Sequence, residues 1–334
     1  MRVLNDLTRR AAERPAHIVL SEGSDPRIVA GAVAAVKSGV ARITLVGPQD
    51  DVAAALVAAG TTQSPTLQIA DPQTSTHHAA FASAYHMLRQ HKGVTPAAAA
   101  ETARDPLVFA ALMVREGLAD GTVGGAVATT SDTVRAALQI IGKAETAPLV
   151  SSFFLMALPE HHASGQDALI FSDAGLVINP SSDELAAIAT ASAQSYAQLL
   201  GREPRVAMLS FSTKGSARHP TVDKVAHATA LLRESAPDLM CDGELQFDAA
   251  FVPDVAAAKA KGSPLEGAAN VMIFPNLDAG NIGYKIAQRI GGCQAIGPVL
   301  QGLAKPANDL SRGCVAEDVN HMIAVTVLQA QDRA

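Results

Sequence analysis

The sequence contains no tryptophan, and aromatic residues of all kinds make up only 4% of its 334 positions. Alanine is abundant instead, which favours many helices packed through small side chains. Charge is also sparse, at 17% of residues, and its balance is acidic, with 26 Lys and Arg against 32 Asp and Glu and a net −6. That balance excludes a general nucleic-acid surface, because phosphate backbones attract basic proteins. A few arginines gathered in one cleft remain compatible with it. Cys241, Cys293 and Cys314 are too few and too scattered for a disulfide framework or a Cys-x-x-Cys metal site. They read as small buried hydrophobes in a reducing cytosol. The first residues lack the apolar centre of a secretory leader, with Asp6 and Glu13 interrupting them. Nor does any uninterrupted apolar run approach membrane-spanning length. A soluble cytoplasmic protein with no membrane partner is expected.

What the chain does have is 48% hydrophobic residues, enough for a sizeable core, and a length suited to two domains or one large one. Short apolar runs alternate with amphipathic stretches. Residues 17–20 read as a strand before a helix at 26–37, and 42–47 as a strand before a helix at 50–59. The unit recurs at 122–127 with 131–141, at 206–211 with 219–235 and at 271–274 with 281–290. Residues 295–300 then lead towards a final helix beginning near Val315. Repeated strand-then-helix units imply an α/β fold with mostly parallel sheets covered on both faces. Two apolar runs at 150–158 and 168–171, separated by His161-His162-Ala163-Ser164-Gly165, break the alternation and read as an antiparallel hairpin. A boundary near Thr146-Ala147-Pro148 divides residues 1–146 plus 300–334 from residues 147–299, giving two α/β domains.

Ligand sites on parallel sheets form where strands end and loops turn into helices, and four such loops are rich in small and polar residues. Residues 124–133 (Gly-Gly-Ala-Val-Ala-Thr-Thr-Ser-Asp-Thr), with Thr129 among them and Arg135 just beyond, can bring backbone N–H groups to an anion. They equally suit a tight turn with Thr130 or Ser131 as helix cap. Residues 210–217, with Ser212 and Lys214, offer hydroxyls and a lysine without the spacing of a Walker A loop. Residues 274–285 gather Asn281, Tyr284 and Lys285, where Asn281 is either a ligand or a cap. Asn308-Asp309-Leu310-Ser311-Arg312-Gly313-Cys314 then precedes the last helix, with Asp318 in its first turn. Arg312 suits a phosphate, because its planar fork donates paired hydrogen bonds. Asp318 either reaches back over this loop or complements the helix dipole.

Together these strings resemble the phosphate acetyl/butyryl transferase family, most closely its phosphate acetyltransferase branch. Asp105-Pro106, Asn179-Pro180-Ser181-Ser182-Asp183-Glu184-Leu185 and Asp242-Gly243-Glu244-Leu245-Gln246 extend the match along nearly the whole chain. The resemblance implies two αβα domains of the isocitrate dehydrogenase type with an interdomain cleft, and a homodimer. It implies transfer of an acetyl group between acetyl phosphate and coenzyme A, with acetyl-CoA and phosphate as products and no cofactor or metal. It points to Ser311, Arg312 and Asp318 as catalytic. It further suggests that Arg89 and Arg135 bind phosphate or coenzyme A, with Thr129, Ser212, Asn281, Tyr284 and Lys285 also facing substrate. Ala136 stands where a proline often follows the arginine, and Val315 where a small polar residue is common; neither change removes a reacting group.

The expected step is direct attack by the coenzyme A thiolate in a ternary complex, with Asp318 as base or as a group orienting Ser311 or Arg312. A helix N-terminus and a nearby arginine weaken Asp318 as a base, whereas desolvation strengthens it. A covalent route through Cys314 would predict ping-pong kinetics. Transfer of propionyl or butyryl groups, and a non-catalytic acetyl-CoA-sensing domain, are the alternative functions.

Overall fold

The computed structural model describes residues 2–331 and contains two compact units. One comprises Asp6–Glu145 together with the chain from Leu303 onward; the other comprises Thr146–Gly302 with the residues up to Asn5. In chain order the strands are β1 (Ala16–Leu20), β2 (Ala41–Val46), β3 (Leu67–Ala70), β4 (Gly121–Gly124), β5 (Ser151–Ala157) and β6 (Ala168–Ser172). They continue with β7 (Val206–Leu209), β8 (Cys241–Leu245), β9 (Val271–Ile273), β10 (Gln294–Gln301) and β11 (Ala307–Asp309).

The unit that contains β1 has a five-stranded sheet in the order β11-β4-β1-β2-β3, parallel throughout. Its central strands carry Ile18, Val19, Leu20, Ile43, Leu45 and Val123, all fully buried or nearly so, as expected of a sheet covered on both faces. Two helices start on the same local device. Asp25 and Asp105 each accept two backbone N–H bonds, and each is followed by a proline, which suits the first helical position. The helix Pro26–Lys37 meets the last helix, Ala316–Gln331, at Gly31, where an added Cβ would sit 2.6 Å from Val319. Only glycine permits that approach.

The other unit has a six-stranded sheet in the order β10-β5-β6-β9-β7-β8. The β5–β6 pair is antiparallel, as the hairpin pattern predicted, and β6, β9, β7 and β8 run parallel. β10 departs from the alternation: it lies antiparallel to β5 at the sheet edge. It carries Pro298, which cannot donate to a ladder, and edge strands tolerate that loss. The long helix Ser182–Leu200 begins with a reciprocal cap between Ser181 and Glu184.

Several boundaries differ from the sequence reading for identifiable reasons. β4 stops at Gly124 rather than running to Val127, because Gly125 turns the chain at φ +94°. The following helix is capped by Thr129, not by Thr130 or Ser131, and after Ala136 it widens into a π-helical turn at Ala137–Ile141. The helix expected at 281–290 begins four residues earlier, at Leu277, because Asn276 caps it by accepting from the Ala279 N–H. No helix among the described residues is long and apolar enough to cross a membrane.

Candidate active site

Three neighbouring parallel strands, β11, β4 and β1, end at the same edge of their sheet and open into loops at 310–318, 125–133 and 21–27. The third of these, Ser21-Glu22-Gly23-Ser24-Asp25-Pro26-Arg27, was not singled out from the sequence, yet it organises the other two. The half-buried Glu22 carboxylate accepts from three consecutive backbone N–H groups: Ala126 at 2.7 Å, Val127 at 3.0 Å and Ala128 at 2.7 Å. The loop at 124–133 therefore does form an anion nest, but the anion that fills it is the chain's own. Arg27 is equally committed. It pairs with Asp25, and its guanidinium donates to the carbonyls of Ala126 and Arg312, each at 2.7 Å. Its fork fastens the β4 loop to the β11 loop. The Asp25 carboxyl is held below the usual carboxylate range chiefly by its hydrogen bond from Arg27.

On that frame the predicted catalytic groups stand outward. Ser311 is exposed; its Oγ accepts from the Gly313 N–H at 3.3 Å, which leaves the hydroxyl proton free to donate elsewhere. Arg312 is also exposed, and only its backbone carbonyl is engaged; its guanidinium makes no hydrogen bond or ion pair among the described residues. Asp318 is half-buried, and its Oδ2 accepts from the Val315 N–H at 3.0 Å, so one oxygen caps its own helix and the other faces away from that bond. A guanidinium, a free hydroxyl and a carboxylate thus share one short loop and the first turn after it.

The remaining predicted residues are placed as follows. Thr129 caps its helix and donates to Asp132, while Arg135 pairs with Asp132 at 2.6 Å on the surface. The Asp132 carboxyl lies below its ordinary range, first because of the Thr129 hydroxyl and then because of Arg135. Such an exposed pair is weakly held, so Arg135 can exchange its partner for a phosphate at little cost. Arg89 ends the helix His78–Arg89 with its Nε buried and unpartnered, and no hydrogen bond ties it to the three loops.

Five candidate residues, Ser212, Lys214, Asn281, Tyr284 and Lys285, lie in the other unit, and each is engaged in contacts within it. Ser212 is fully buried and donates to Glu244 at 2.8 Å, because the loop after β7 closes on that carboxylate; it does not present its hydroxyl outward. Lys214 is likewise bound to the buried Asp242, alongside Arg233. Asn281 is not a cap but sits one turn inside its helix, donating to the Ala174 carbonyl and accepting from Lys285. Tyr284 stacks on Phe154 with ring centroids 3.8 Å apart. All three cysteines are buried and unpaired. Burial pushes the Cys314 thiol above its ordinary range, with Arg27 pulling the other way, so it stays protonated and a poor nucleophile at neutral pH.

Comparison with known proteins places this arrangement in context. The profile of the family described as phosphate acetyl/butaryl transferase matches residues 2–327. A phosphate acetyltransferase of Paracoccus denitrificans is 49% identical over 331 residues, covering 99% of this chain and 100% of that protein. Among solved structures, a phosphotransacetylase from Streptococcus pyogenes superposes with a TM-score of 0.91 at 41% identity, covering 99% of this chain and 98% of that one. Another, from Staphylococcus aureus, gives 0.88 at 40% identity, with 98% of each chain covered.

Proposed function

Because the chain belongs to the phosphate acetyl/butaryl transferase family, we propose that it transfers an acetyl group reversibly between acetyl phosphate and coenzyme A, with Ser311, Arg312 and Asp318 as the reacting set. The observation that carries the assignment is the contrast at the end of β11. Arg27 is wholly absorbed in holding the loop, whereas the Arg312 guanidinium and the Ser311 hydroxyl proton are left for a ligand.

The chemistry follows from those groups. A thiol with an ordinary pKa of about 8.5 is mostly protonated near neutral pH, so a base beside it raises the reactive fraction. Asp318 takes that proton on the oxygen not bound to Val315. The sulfur attacks the acetyl carbonyl carbon, and the Ser311 hydroxyl donates to the oxygen on which charge develops. The bond from the acetyl carbon to the phosphate oxygen breaks, and phosphate leaves with the electron pair, paired to Arg312 in the bidentate manner that suits its fork. Arg135, released from Asp132, and Arg89 supply further positive charge for phosphate groups, and Thr129 keeps the Arg135 turn in place. No bound cofactor is needed for this reaction, since coenzyme A enters as a substrate, and a cytoplasmic location suits three unpaired thiols.

Asp318→Asn tests the assignment. It keeps the Val315 bond but not the basicity, so kcat is expected to fall by about 10²–10⁴-fold with little change in either Michaelis constant. Near-normal turnover would remove Asp318 from the mechanism. Side-by-side rates with acetyl, propionyl and butyryl phosphates settle the acyl group.

A homodimer is part of the same proposal. The helix Leu277–Arg289 and its cap expose Ile282 (58%), Ile286 (53%) and Ile290 (83%) at four-residue spacing, an apolar stripe that a second copy of the chain would cover.

A further inference from the structure

Asp309 is the last residue of β11, opposite Gly124 of β4, and it has no exposed surface at all. It sits two residues before Ser311. Neither of its carboxyl oxygens makes a well-aligned hydrogen bond among the described residues, and the donors beside them are the Thr130 and Thr133 hydroxyls at the start of the next helix. The carboxyl lies directly on the backbone of Gly125: a Cβ built there would stand 2.0 Å from its Oδ1, at a residue whose φ is already +94°. The strand end is tied to β4 by the Leu310 N–H, which donates to the Gly124 carbonyl at 2.7 Å. The Asp309 side chain therefore wedges between the Gly125 turn and the start of the helix Thr130–Ala136.

An ionised carboxylate in such a place needs a cation or several well-aligned donors; no cation faces it among the described residues, and the Thr130 and Thr133 hydroxyls beside it offset only part of the cost of burial. The charged groups on the surrounding segments are committed elsewhere. Glu22 is held by the N–H groups of 126–128, Arg27 by Asp25 and three carbonyls, Asp132 by Arg135 and Thr129, and Asp318 by the Val315 N–H. On the last helix, burial keeps His321 below its ordinary pKa and so neutral. The charge that does act on Asp309 is Glu22, of the same sign. Burial, reinforced by Glu22, pushes the Asp309 carboxyl up to about 7, although the Thr130 and Thr133 hydroxyls pull it down.

We propose that Asp309 is a positioning residue that works as the neutral acid, seating the Ser311–Arg312 loop against the Gly125 turn without placing a negative charge behind the site of an anionic substrate. The inference rests on the acetyl-transfer reading of that loop. Ionised, the same side chain would oppose the attraction of Arg312 for acetyl phosphate. Substrate binding then weakens as pH rises through 7, whereas the frame of the loop persists.

The test uses Asp309→Asn, which keeps the shape of the neutral acid and cannot ionise, with Asp309→Ala as a control for lost packing. The Michaelis constant for acetyl phosphate in the wild type is expected to rise between pH 6 and 8 by about tenfold relative to the Asn variant. That comparison removes titration of the substrate and of coenzyme A. Asn is expected to retain turnover that Ala loses. An Asn variant whose Michaelis constant follows the wild type at every pH, or one inactive throughout, overturns the proposal. A second readout is independent of activity. A carboxyl whose pKa is raised by folding binds its proton more tightly in the folded state, so the wild type loses stability as pH rises from its unfolded value near 4 to its folded value near 7. The melting temperature of Asp309→Asn relative to the wild type should therefore climb over that window and level off above it. A difference that is constant across pH overturns the proposal even if the chain forms no thioester, and absence of thioester formation by the wild type speaks separately against the proposed function.

Discussion

Glu22→Ala empties the nest that shapes the β4 loop. Three N–H bonds to a carboxylate are lost, at 2.7, 3.0 and 2.7 Å, and charge-assisted bonds of this kind contribute about 1.5–3 kcal/mol each. Their sum overstates the loss, because Glu22 is only half-buried and water can enter to satisfy part of the nest. A net cost of about 2–3 kcal/mol is expected, read as a shift of the urea midpoint at unchanged slope. Glu22→Gln should cost more than half as much. Its amide oxygen can still accept from Val127 and Ala128, but its NH₂ group then faces the Ala126 N–H, donor against donor. The loop carries Thr129 and Arg135, so kcat/KM for acetyl phosphate should fall with stability, by about 10–100-fold. The nest left by the Ala variant has the right donors for a small carboxylate, and added formate should restore part of both losses. A midpoint shift worth less than about 0.5 kcal/mol, with no response to formate, would refute the claim that Glu22 organises this loop.

Two further outcomes follow from the same geometry. Cys314→Ala should retain most of the activity, and no acetyl-enzyme should accumulate in the wild type, because the thiol is buried with its proton held; an inactive variant or a ping-pong pattern would restore the covalent route. Ile286→Glu places a charge in the middle of the exposed stripe and should shift the sedimenting species from dimer towards monomer; an unchanged dimer moves the interface elsewhere.

The alternation of strand and helix was readable because most strands carry an unbroken aliphatic signal, as in Ile18-Val19-Leu20 and Val206-Ala207-Met208-Leu209. β11 was not readable. Its residues Asn308 and Asp309 are polar yet 1% and 0% exposed, and Asn308 reaches that depth by bonding Thr326 and Gln329 on the last helix. A strand whose burial is satisfied by hydrogen bonds has no hydrophobic pattern to find. The antiparallel course of β10 left one usable trace, Pro298 inside an apolar run, which marks an edge strand. For the candidate site, Ser311, Arg312 and Asp318 were nominated by their chemistry and by resemblance, and the structure puts all three on one strand-end loop and the helix turn after it. Glu22 and Arg27 were missed because their partners lie 104 and 285 residues away. Nothing local marks an acid as the filler of an N–H nest on another strand. Ser212 and Lys214 show the converse. A loop rich in hydroxyls looked open to a ligand, but its polar groups are consumed by the carboxylates Glu244 and Asp242.

The central claim is that the free guanidinium of Arg312 serves acetyl transfer. It is tested most directly by incubating the purified chain with acetyl phosphate and coenzyme A alone, and following thiol loss against phosphate release for the wild type and Arg312→Ala. The wild type should yield equal amounts of thioester and phosphate, and kcat should fall by about 10²–10³-fold in a variant that still folds. No thioester from the wild type, or undiminished turnover in Arg312→Ala, would contradict it.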